Sequence, residues 1–77
     1  MIEQLKAEVA ARDGFIAQYR FNIRKYERML ARLADGSMPD FAERLEELLA
    51  TEREQCAREQ LTRDVTAELI AEMEANP

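Results

Sequence analysis

Residues 2–33, IEQLKAEVAARDGFIAQYRFNIRKYERMLARL, decide the fold. Apolar side chains return along this stretch in alternating steps of three and four, at Ile2, Leu5, Val9, Ile16, Tyr19, Ile23, Tyr26, Leu30 and Leu33, with Arg12 as the single break. That spacing lines one face of a helix under-wound to about 3.5 residues per turn, the seam of a coiled coil or helical bundle. It predicts a first helix over about residues 2–34, on the order of 50 Å long at about 1.5 Å per residue. Gly14 inside it is tolerated at a cost of about 1 kcal/mol relative to alanine, with room for a slight bend.

Downstream, Asp35-Gly36 offers a left-handed helix end and Pro39 blocks continuation, so the connection should occupy about residues 35–39. A connection this short makes antiparallel neighbours, which favours a hairpin over one rod. The second helix should run over about residues 40–75, with Asp40 as N-cap and Glu43 three residues on as its capping-box partner. Ala75-Asn76-Pro77 reads as its stop.

Phe41, Leu45, Leu48 and Leu49 open the second helix with an apolar face, and Leu69, Ile70 and Met73 close it. Between them the expected seam is polar: Glu52, Gln55, Glu59, Thr62 and Thr66. Folding about the loop sets residue n roughly opposite residue 75 minus n, which brings Arg12 to the polar part of helix two. Arg12 is then expected to pair with Glu59 or Asp64 and fix the register, as buried polar groups do in coiled coils. A kink or frayed middle, with the tail beyond Thr62 packing on another chain, is the competing expectation.

Seventy-seven residues make one small domain. One buried layer is a thin core for a chain of this length, so self-association is expected, through the helix-one ladder and as a homodimeric four-helix bundle or an extended helical dimer. No apolar run approaches the ~20 residues that span a bilayer. Lone Cys56 forms no internal disulfide and reads as a part-buried structural cysteine, and the expected compartment is the cytoplasm.

Catalytic chemistry is short of parts. With no histidine, the Glu-x-x-His pairs of di-iron bundles, imidazole bases and most zinc sites are missing. Neither glycine belongs to a phosphate loop, so no cofactor, metal or small-molecule substrate is expected and the chain reads as a non-enzyme.

Charge supplies the functional clue. The chain carries a net −5, yet residues 1–35 hold seven Lys/Arg against five Asp/Glu, while residues 36–77 hold four against eleven. At 100° per residue, Phe21, Arg24, Lys25, Arg28 and Arg32 fall within about 60° of one direction, away from the ladder, with Arg20 beside them. A phenylalanine thus stands in the centre of the most basic patch. Such a stripe suits a contact surface in which guanidinium groups pair with carboxylates or phosphates and the ring anchors or stacks.

In organisation, a helical hairpin with Arg20-Phe21 on an outward face of helix one, the chain resembles the plasmid copy-control RNA-binding proteins of the Rop type. That resemblance covers architecture and the dipeptide only, and implies structured-RNA binding by the stripe repeated across a dimer axis. Three roles follow as expectations. The first is a bacterial or phage-type accessory regulator that docks on a larger protein and modulates it. The others are a structured-RNA-binding dimer and a purely structural assembly piece that uses the stripe as a subunit contact. Acidic helix two reads as a solvated face with intrahelical pairs.

Overall fold

The computed structural model describes residues 1–76. Two helices, α1 (Ile2–Arg32) and α2 (Pro39–Ala75), pack against each other as an antiparallel hairpin measuring 60 × 14 × 13 Å. Pro77, the last residue of the expected helix stop, lies outside the described residues.

α1 runs unbroken through Gly14 and ends two residues before Ala34. The Leu33 N–H donates to the carbonyls of both Leu30 and Met29, at 3.0 and 3.2 Å, and tightens the last turn. Reversal is then made by Gly36, in the left-handed region at φ 79°, whose N–H donates to the Leu33 carbonyl at 3.1 Å. The Ser37 N–H donates to Asp35 Oδ1 at 3.0 Å. Hydrogen bonding by Ser37, its side chain first and its N–H second, holds the Asp35 carboxyl below its ordinary pKa. Because only glycine adopts φ near 79° without strain, Gly36→Ala should destabilise the hairpin by about 1–2 kcal/mol, read as a lower urea midpoint at unchanged slope. Open space in front of Gly36 confines that effect to the backbone.

The start of α2 departs from expectation. Pro39 occupies the first turn, Met38 is the N-cap at φ −141°, and no side chain caps the helix, so the Asp40–Glu43 capping box does not form. Proline explains this: it disfavours helical backbone at the residue before it, and it brings no N–H needing a partner. Asp40 instead lies in the first turn, where its charge favours the positive end of the helix dipole.

All the apolar ladder positions of α1 are buried or half-buried, Ile16 most deeply. Facing them, α2 presents Ala42, Leu45, Leu49, Glu52, Cys56, Glu59, Arg63, Thr66, Ile70 and Met73, again in steps of three and four. Cys56 and Arg63 thus hold the places expected for Gln55 and Thr62. Phe41, Leu69 and Thr62 are exposed, while Gln55 is half-buried. The physical reason is continuity: the evenly stepped row that joins buried Leu45 and Leu49 to buried Thr66 and Ile70 passes through Cys56 and Arg63.

The polar middle is closed by pairing, not fraying. Arg12 Nη1 donates to Glu59 Oε2 at 2.7 Å across the helices, and Arg12 Nη2 lies 3.6 Å from Glu8. The hydrogen bond to Glu59 pushes the Arg12 pKa still higher, so the guanidinium keeps its charge. Arg63 Nε donates to Asp13 at 2.9 Å, and buried Thr66 donates to the Thr62 carbonyl at 2.8 Å. α2 is therefore one continuous helix of 37 residues. One oxygen of Glu52 remains buried without a hydrogen-bond partner, a desolvated acceptor that costs the seam stability.

The two flanks of the hairpin differ. One is stitched by Lys6–Glu74, Arg63–Asp13, Arg20–Gln60 and Arg53–Glu27, at 3.4, 2.9, 3.1 and 3.8 Å. Their positions set residue n of α1 opposite about 76 to 80 minus n along this flank, close to the expected 75 minus n. By heptad position the other flank carries Phe15, Asn22 and Met29 from α1 and Leu48, Gln55 and Leu69 from α2. No cross-helix ion pair joins that flank among the described residues. Among the same residues, no helix is long and apolar enough to cross a membrane.

Candidate functional site: a cationic groove on helix one

The helical periodicity that aims Ile16, Ile23 and Leu30 at α2 aims Phe21 outward, and its side chain is 55% exposed. Around it Arg24, Lys25, Arg28, Met29 and Arg32 line an open groove of about 470 Å³. Phe21 and half-buried Met29 give it apolar surface, and four cations rim it. Five of the six residues expected in the stripe are thus brought together. Arg20 falls to the stitched flank, where it donates to Gln60 at 3.1 Å, and lines a neighbouring depression with Ile23 and Arg24.

Ion pairing sets the groove apart. Of the eleven Lys and Arg, Lys6, Arg12, Arg44, Arg53, Arg58 and Arg63 each hold a carboxylate, and Arg20 holds an amide. Among the described residues Arg24, Lys25, Arg28 and Arg32 have no acidic partner, and these are the four that rim the groove. Arg32 in the last turn complements the negative end of the helix dipole. Arg24 and Lys25 lie beyond the reach of that effect, which fades within one turn. Lys25 does rest over the Tyr26 ring, 5.2 Å from its centroid, a cation–π contact that leaves the ammonium's other side open.

Met29 was missed by the sequence reading, because it lies between the ladder and the stripe and belongs to neither pattern. Its step of eight from Phe21, about two helical turns, is the signal that could have found it. Cys56 is half-buried on the inner face of α2. Among the described residues no set of three or more His, Cys, Asp or Glu gathers to hold a metal ion. No family model, no curated protein and no solved structure matches this chain.

Proposed function

We propose that this chain is a small non-enzymatic interaction protein, an accessory regulator in the cytoplasm that docks on a larger protein and modulates it through the α1 groove. The observation that carries the reading is the segregation of cations: those elsewhere are tied to carboxylates or an amide, whereas the four around Phe21 and Met29 are spare. Arg24, Arg28 and Arg32 repeat every turn, the spacing at which an acidic amphipathic helix presents its own carboxylates. Phe21 and Met29 supply the apolar contact that such a helix needs for an anchor.

A protein is favoured over RNA by the charge alongside. Residues 36–77 carry a net −7, and an extended polyphosphate laid on the groove would meet that field. A short helix with a few carboxylates and one buried apolar row is the better match.

The test is capture by the tagged chain from bacterial lysate with and without nuclease, comparing wild type with Phe21→Ala. One defined protein should be retained by wild type. Phe21→Ala should weaken its binding by about thirtyfold or more, since central aromatic anchors contribute about 2 kcal/mol or more. Capture that vanishes with nuclease would move the function to RNA, and capture indifferent to Phe21→Ala would remove the groove from the account.

A further inference from the structure

α2 has a second apolar row, on the side away from α1. Leu61, Val65 and Leu69 recur every four residues and are 67%, 44% and 48% exposed. Arg58 precedes the row by three residues and Glu72 follows it by three. All five fall within about 80° on a helical wheel, roughly opposite the inner face that runs through Cys56, Glu59, Arg63 and Thr66. The order Arg58, Leu61, Val65, Leu69, Glu72 is symmetric about Val65 in position and antisymmetric in charge.

We propose that this row is a homodimer contact, in which α2 packs antiparallel on α2 of a second copy across a two-fold axis at Val65. A two-fold contact must be self-complementary, so each residue on one side of the axis has to suit its counterpart on the other. Here Val65 meets Val65, Leu61 meets Leu69, and Arg58 meets Glu72, twice over. Thr62 meets Glu68, so no like charges are opposed within the patch. Glu72 has no cation partner among the described residues, and the Arg58–Glu54 pair, at 2.8 Å on one exposed helix turn, is weak enough to be shared.

Self-association had been expected along the α1 ladder. That ladder is largely covered by α2 inside one hairpin, which leaves an outer face to join two chains. A second copy fits the α2 row better than an unrelated helix does, because the symmetry of charge about Val65 has meaning only if the same sequence lies opposite. The row shares no residue with the α1 groove, so each dimer would carry two free grooves.

Sedimentation equilibrium of the purified chain over a concentration series tests the contact, with circular dichroism confirming the helices of each variant. Wild type should reach dimer mass. Val65→Lys, which sets two cations face to face on the axis, should weaken association at least about a hundredfold. Arg58→Glu and Glu72→Arg should each weaken it about tenfold, and the double variant should return to within about threefold of wild type because the pairs are restored with sign exchanged. Rescue excludes a merely local effect of losing the Arg58–Glu54 pair. A wild type that stays monomeric up to about 1 mM, or a dimer that ignores Val65→Lys, overturns the proposal. Phe21-dependent capture by a monomeric chain would sink the dimer and leave the docking reading standing; a dimer that captures nothing would do the reverse.

Discussion

Leu45→Ala is expected to lower the melting temperature by about 10–25 °C, the largest effect of any single truncation in the chain. Leu45 is 1% exposed, and no other side chain among the described residues is so completely enclosed. It lies on the inner face of α2 near the loop, roughly opposite Leu30, where the seam is apolar on both sides. Removing a buried leucine side chain loses its transfer free energy and leaves a cavity that two rigid helices cannot collapse around. The cost is about 2–5 kcal/mol. A domain of this size has roughly 4–11 kcal/mol in total, so the loss is a large share of it. Phe41→Ala is the control. Phe41 is larger and lies one turn earlier, but it is 44% exposed, and its truncation should cost less than about 1 kcal/mol. Thermal melts followed at the helical dichroism band decide it: equal losses for the two variants would mean the core is not where Leu45 marks it.

Reversing two groove charges together, Arg24→Glu with Arg28→Glu, is expected to abolish partner docking while leaving the fold intact. Against an acidic partner the change replaces two attractions by two repulsions, and the affinity for the captured protein should fall at least about a hundredfold. Stability should stay within about 0.5 kcal/mol, because neither side chain holds an intramolecular partner among the described residues. Few arginines in this chain would behave that way. Arg63→Glu, by contrast, would set a third carboxylate beside Asp13 and Asp64, its present partners at 2.9 and 3.4 Å, and should destabilise the hairpin. The affinity of the wild-type groove should also weaken as salt rises, whereas the Phe21 contribution should persist, since screening acts on charge and not on apolar burial. Docking measured for the double reversal together with its urea midpoint separates the two effects. Loss of both would place Arg24 and Arg28 in the structure rather than at a partner.

Much of the architecture is legible in the chain because a coiled-coil seam is a local pattern written at regular intervals. The ladder from Ile2 to Leu33 determined α1 and its inner face. Gly36 and Pro39 determined that the chain turns there, through one residue free to take positive φ and one that cannot continue a helix. The outward place of Phe21 and its basic neighbours followed from the same periodicity. So did the approach of Arg12 to Glu59, once the loop had set the register.

Tertiary structure decided what periodicity leaves degenerate. In the middle of α2 no apolar residue marks the inner face, so Cys56 and Arg63 could not be told from Gln55 and Thr62 until α1 was laid against them. Pro39 overrode the Asp40–Glu43 cap, because the proline ring and the extended backbone of Met38 together fix the first turn. Above all, a row of arginines in a sequence does not say which are spare. Arg12, Arg53 and Arg63 find carboxylates and Arg20 an amide only because the opposite helix brings Glu59, Glu27, Asp13 and Gln60 within reach. Arg24, Lys25, Arg28 and Arg32 find none because they face away from it. Pairing is a property of distance between elements, and the sequence alone specifies only distance along one.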